Sequence, residues 1–260
     1  MKFLRFASDT GSPEWGILEG DEITCIESSP LESAGASKTR THFKLDDVRL
    51  LPACTPSKIV CVGRNYVEHA KELAHDVPTK PLIFLKPPSA LLASGQTILY
   101  PPDVGRLDYE GEIGIVIRKR MRHLGPQESA WPYIFGFTCV NDVTGRDLQD
   151  KDGQWTRAKG FDTFCPAGPA IATGLDSSNL TVETKVNGQT RQKGHVSQMI
   201  FGFDVVLRYI SRVMTLEPGD LIATGTPAGV GPLQVGDVVE VSIDGVGTLR
   251  NNVGREEVQV

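Results

Sequence analysis

Long apolar runs are missing from this 260-residue sequence: none reaches the roughly 18 residues that a membrane-spanning helix needs. An excess of positive charge is missing as well. With 27 Lys and Arg against 32 Asp and Glu, a net charge of −5 and no basic cluster, the chain offers no stripe that would track nucleic-acid phosphates. The five cysteines are odd in number and include no C-x-x-C pair, which excludes a disulfide framework and a thiolate zinc site. Cys61 and Cys139 lie in apolar runs and read as buried, inert thiols. Aromatic residues are scarce, at 7%. Met1 to Phe6 lack the apolar stretch of a secretory signal. A cytoplasmic protein without a nucleic-acid or membrane partner is the expectation.

What the sequence does have is 27 glycines and 17 prolines, above the roughly 12% of average usage for the two together. Many turns and short strands follow. Residues 1–52 read as a small N-terminal β domain, with strand-like runs at Phe3 to Ala7, Trp15 to Leu18 and Ile23 to Ile26 and a polar loop from Ser28 to Arg40. Residues 53–260 read as a second, catalytic domain, with strands at Ile59 to Val62, Leu82 to Leu85, Ile113 to Ile117, Phe135 to Val140, Leu180 to Val186, Leu221 to Thr224 and Val238 to Ile243. Two helices are expected, Val196 to Met214 with Ser197 as cap, and a short polar one near Tyr66 to Ala74. The fold class is β-rich α+β.

The most informative stretch is Asp108-Tyr109-Glu110-Gly111-Glu112, which leads into the apolar strand Ile113 to Ile117. Side chains at i and i+2 of a strand point the same way, so Glu110 and Glu112 project together. Two such carboxylates repel unless one takes a proton or a cation sits between them. All-oxygen ligation selects Mg²⁺ or Mn²⁺ over zinc, while the plainer reading is two solvent-facing acids at a strand start. Asp142 ends the apolar run Phe135 to Val140 and could supply a third oxygen; Asp142 or Asp147 could instead cap a turn or pair with Arg146. Lys159 falls in a loop dense with Gly, Pro and aromatic residues, a setting for neutralising an anion.

Together these motifs resemble the fumarylacetoacetate hydrolase family. The resemblance is carried by Val62-Gly63-Arg64-Asn65-Tyr66 with His69 and Glu72 following, Pro81 to Pro87, Asp108 to Glu112, Asn141 to Gln149, and Thr224-Gly225-Thr226-Pro227 through Gly231. It implies a mixed β-sandwich or roll, a homodimer, and Mg²⁺ or Mn²⁺ held at positions matching Glu110, Glu112 and Asp142. It also matches Lys159 to the active-site lysine, His69 and Glu72 to a His–Glu pair on a lid, and Arg64, Gln149 and Thr226 to substrate-binding positions. Without it, His69 and Glu72 are an i,i+3 pair on one helical face, able to make a general base or worth little if exposed. The implied substrate is a small 2-oxo acid. The implied reaction is hydrolysis of an acylpyruvate-type 2,4-dioxo acid through a pyruvate enolate. Oxaloacetate decarboxylation, isomerisation or decarboxylation of a homoprotocatechuate-pathway dienedioate, and a catalytically dead binding protein are the alternatives. The pocket wall is expected from loops around Pro101 to Arg106 and Gly229 to Leu233. His42, His75, His123 and His195 lie outside the motifs and are expected at the surface.

Overall fold

The computed structural model describes residues 1–8, 11–32, 37–72 and 76–256. A sheet of twelve strands forms its frame. Its main path runs Lys38–Lys44, Glu22–Ile26, Pro13–Glu19, Lys2–Ala7, Cys165–Ala172, Ile134–Asn141, Gly111–Ile117, Leu221–Ala223, Ile59–Gly63 and Leu82–Lys86. The N-terminal strands are not set apart from this frame. Lys2 pairs with Ala172 and Phe3 with Ile171, so one sheet continues across the expected domain boundary.

The central strand Gly111–Ile117 is buried at every position. That explains its unbroken apolar run, since a strand covered on both faces does not alternate. Ile113, Ile115 and Ile117 pack in one core with Val182, Val241, Ile243 and Leu249, which belong to a second, five-stranded sheet. The helix Phe203–Val213 closes the same core with Phe203, Val206, Leu207 and Ile210, the apolar stripe of a 3.6-residue period. A three-stranded sheet of Thr144–Gly145, Leu107–Tyr109 and Gly231–Leu233 sits beside the central strand and delivers Asp108 and the Gly229 loop to one end of it.

The β-rich α+β class is therefore correct, and three local expectations need correction. The end of the expected loop, from Lys38 to Arg40, belongs to an edge strand, Lys38–Lys44, that is mostly exposed and polar and packs inward chiefly through Phe43. The long helix starts at Phe203, not Val196. His195, not Ser197, caps a single 3-10 turn at Val196–Gln198, and the backbone N–H groups of Ile200 and Phe201 then turn to Asn65. Lys159 lies in a short helix, Thr156–Gly160, not in a loop. The polar helix is described as Val67–Glu72; residues 73–75, His75 among them, lie outside the described residues. No helix among the described residues is long and apolar enough to cross a membrane. All five cysteines are unpaired and buried.

Candidate active site

Two neighbouring strands end at the same place. Asn141 pairs with Gly111, and the Asp142 N–H donates to the Glu110 carbonyl at 2.8 Å. This register brings Glu110 and Glu112 onto one point with Asp142, 30 residues beyond Glu112 in sequence. Glu110, Glu112 and Asp142 are all buried, and one oxygen of each lies within 4.8 Å of the other two.

Basic groups surround the trio. Lys159, 2% exposed, donates to Glu110 Oε2 at 2.9 Å and Asp142 Oδ2 at 2.6 Å. Lys86, 1% exposed, donates to Asp142 Oδ1 at 2.5 Å and to the Val143 carbonyl at 3.0 Å. Arg146 binds Glu110 Oε1 through Nη2, Asp108 Oδ2 through Nε at 2.9 Å and Gln149 Oε1 through Nη1 at 2.5 Å. Asp108 is in turn held by Arg106. Asp147 is not one of the site's acids: it accepts the backbone N–H groups of Gly105 and Arg106.

These contacts split the acids electrically. Burial works against ionisation of Glu110, but Lys159 and Arg146 outweigh it and hold its carboxyl well below the usual carboxylate range. Glu112 is pushed well above that range by burial and by the neighbouring Asp142 and Glu110. Its one strong compensating donor is the Gly225 N–H at 2.7 Å. For Lys159, burial again opposes the charge, and Asp142 and Glu110 more than restore it.

The trio opens into a cavity of about 240 Å³, below the 300–1,000 Å³ of drug-sized ligand sites. Arg64, His69, Gln149, Lys159 and Thr226 line it with the three acids, so the structure gathers nearly every expected site residue. Glu72 stands behind the wall, 3.3 Å from His69 Nδ1. An ionised carboxylate only accepts, so Nδ1 carries the proton and Nε2 is the basic nitrogen. The Gly229 N–H also donates to Glu72, at 3.1 and 3.2 Å to its two oxygens, which ties the short helix to the Thr224–Gly231 segment. Thr226 donates to the Gly111 carbonyl at 2.9 Å and accepts from Gln192 Nε2 at 2.8 Å. The expected wall is the part that differs. Phe84, Trp155 and Asp150 line the cavity, and neither Pro101 to Arg106 nor Gly229 to Leu233 does. His42, His123 and His195 do not line it either, in keeping with their place outside the motifs.

Lys86, Arg146 and Asp108 were not singled out as site residues from sequence. Lys86 had a faint signal, a lysine ending the apolar strand Leu82–Lys86 directly before Pro87. A fully buried lysine at a strand end needs an acid opposite it.

A divalent cation fits this donor set. The three carboxylates are the oxygen ligands a hard cation takes, one oxygen of each lies within 4.8 Å of the other two, and Glu112 lacks a cationic partner of its own. Fold and site together define a strand-rich protein with a buried three-carboxylate centre at the mouth of a small cavity. The fumarylacetoacetate hydrolase C-terminal family model matches residues 58–254, and an Rv2993c-like N-terminal model matches residues 1–52. The chain belongs to the fumarylacetoacetate hydrolase family. It is 41% identical to oxaloacetate tautomerase YisK of Bacillus subtilis, over 97% of this chain and 90% of that one. It is 45% identical to the mitochondrial oxaloacetate decarboxylase of Dictyostelium discoideum, over 75% and 92%. The crystal structure of a 2-hydroxyhepta-2,4-diene-1,7-dioate isomerase from Mycobacterium marinum superposes with a TM-score of 0.89 at 41% identity, covering 99% of this chain and 100% of that one.

Proposed function

We propose that this protein is a Mg²⁺- or Mn²⁺-dependent enzyme acting on the enol form of a short 2-oxo acid, and that its reaction is keto–enol interconversion of oxaloacetate. The observation that carries the reading is that the buried Glu110–Glu112–Asp142 trio and His69 line one cavity sized for a four- or five-carbon acid. Glu110, Glu112 and Asp142 would hold the cation, which would supply a Lewis acid for the 2-oxo oxygen. Lys159 and Arg146 add fixed positive charge for the substrate's carboxylates. Interconversion moves one proton between C3 and the enol oxygen. His69, with Nδ1 held by Glu72, presents Nε2 to take or give that proton. Phe84 and Trp155, packed edge-on with ring centroids 5.1 Å apart, keep one side of the cavity dry. The relatives named for oxaloacetate chemistry support this choice of substrate.

Hydrolysis of an acylpyruvate is the second reading. The His69–Glu72 pair favours it, since the same nitrogen could activate water for attack on a C4 carbonyl. The test is turnover of oxaloacetate, acetylpyruvate, fumarylpyruvate and a dienedioate with Mg²⁺ or Mn²⁺ added. Loss of oxaloacetate enol absorbance without pyruvate is the expected outcome. Pyruvate and CO₂ from oxaloacetate would make the protein a decarboxylase, and pyruvate from acetylpyruvate a hydrolase.

A further inference from the structure

Each carboxylate of the trio has one oxygen held by a donor that approaches from outside the cluster. Arg146 Nη2 holds Oε1 of Glu110, and the Gly225 N–H holds Oε2 of Glu112 at 2.7 Å. Lys86 Nζ holds Oδ1 of Asp142 at 2.5 Å. The other oxygens of Glu110 and Asp142 meet over a single atom, Lys159 Nζ, at 2.9 and 2.6 Å, which marks them as the inward pair. The cluster thus turns single oxygens toward its centre, not chelating carboxylates.

Lys86 is the member of this outer ring with no other evident task. Its side chain is wholly buried, comes from the edge strand Leu82–Lys86 and does not line the cavity. A second donation, to the Val143 carbonyl at 3.0 Å, fixes the ammonium on the far side of Asp142 from Lys159. Asp142 is therefore gripped by two ammonium groups, one per oxygen.

We infer that Lys86 is a positioning residue that keeps Asp142 a one-oxygen ligand and thereby selects a small cation over Ca²⁺; the inference rests on the metal site proposed above. The chemistry is one of coordination number. Mg²⁺ requires near-ideal octahedral geometry and keeps several sites for water or substrate, which suits three single-oxygen ligands. Ca²⁺ takes six to eight oxygens and gains most from two-oxygen carboxylates. Lys159 lines the cavity and can share Oδ2 with a cation there, whereas Lys86, fixed by the Val143 carbonyl outside the cavity, holds Oδ1 turned away, so chelation by both Asp142 oxygens would have to pull Oδ1 off Lys86.

The test is calorimetric titration of Mg²⁺ and Ca²⁺ into the metal-stripped wild type, Lys86→Met and Lys86→Arg. Wild type and Lys86→Arg should favour Mg²⁺. In Lys86→Met the Mg²⁺-to-Ca²⁺ affinity ratio should fall at least tenfold, chiefly through tighter Ca²⁺ binding. A wild type that takes up neither cation overturns the metal site and this inference with it. Normal wild-type uptake with an unchanged ratio in Lys86→Met overturns the role of Lys86 alone. Should Lys86→Met not fold, the wild type still decides the matter. In protein labelled with ¹³C at the aspartate carboxylates, the infrared difference between Mg²⁺-loaded and stripped states isolates Asp142, the one aspartate in the trio. A widely split, single-oxygen carboxylate signature is expected, and a chelating signature would overturn the inference.

Discussion

At the scale of single residues, burial and charge decide which groups are chemically available. His69 is 4% exposed yet reaches the cavity, and its orientation depends on one carboxylate that also accepts the Gly229 N–H. Replacing His69 by Asn should lower kcat by about 10²–10⁴, the usual worth of a positioned general base. Glu72→Gln keeps the size and an acceptor oxygen but loses the charge that holds the proton on Nδ1. It should cost less than His69→Asn, and steady-state rates on whichever substrate proves active will show the order. Equal losses would mean that the pair acts as one unit. The cysteines give the opposite case. Burial pushes Cys54, Cys139 and Cys165 up to about 12. Near pH 8 their thiolate fraction then falls roughly three orders of magnitude below that of a free thiol with a value of about 8.5, so a disulfide reagent should leave these three unlabelled in the folded protein. The sign for stability follows. Below about pH 8.5 these thiols are neutral in both states and cost nothing. Above it the unfolded chain ionises and the folded chain does not, so stability falls toward pH 12 by about 1.4 kcal/mol per pH unit for each thiol. Melting temperature should drop steeply in that window, and Cys139→Ala should show a shallower slope.

At the scale of elements, the site is assembled by one small amide. Asn65 donates through Nδ2 to the carbonyls of Thr224 at 2.8 Å and Phe201 at 3.0 Å, and its Oδ1 accepts the Phe201 N–H at 2.8 Å. It therefore joins the turn before His69, the segment ahead of the long helix and the start of the Thr224–Gly231 loop. Gly225 fits beside it because its φ of +101° is open to glycine, and a Cβ there would lie 2.6 Å from the Asn65 Cβ. Asn65→Ala should destabilise by roughly 2–4 kcal/mol, since it strands buried backbone groups on two segments. Denaturant unfolding would measure that, and a loss under 1 kcal/mol would show that the segments hold without it. The same residue explains where sequence reading stopped. The apolar strands were legible because their patterns are local; Glu110 and Glu112 do converge, although Glu110 lies between the strands Leu107–Tyr109 and Gly111–Ile117 and not within one strand as the period of two supposed. Asp142 was legible because an acid at the end of an apolar run needs a partner. Helix periodicity continued through Met199 and Ile200, yet their segment answers to Asn65, more than 130 residues away. Lys86 and Asp142, 56 residues apart, meet only through strand order, which no local pattern encodes.

At the scale of the whole molecule, the mild net negative charge hides a centre where opposite charges nearly cancel. Asp108, Glu110, Glu112 and Asp142 are set against Arg106, Arg146, Lys86 and Lys159, with every one of these acids buried. A divalent cation adds two positive charges to a low-dielectric site whose acids are already matched by fixed cations, and so binds there less tightly alone than with an anion beside it. A small dianion restores the balance, and the cavity beside the trio has the size for one. Cation and anion should therefore each strengthen the binding of the other. Oxalate, a planar dianion with the oxygen spacing of a 2-oxo acid, is the probe. Its presence should tighten Mg²⁺ binding at least tenfold, a coupling of about 1.4 kcal/mol, and thermodynamic linkage requires Mg²⁺ to tighten oxalate by the same factor. Calorimetric titration of each ligand with and without the other measures both factors. Independent binding would show that the fixed cations already compensate the substrate's charge, leaving the trio to hold its metal unaided. Lys159→Met separates the two cases. Without that ammonium the centre carries one positive charge fewer, so Mg²⁺ alone should bind more tightly and the oxalate coupling should shrink.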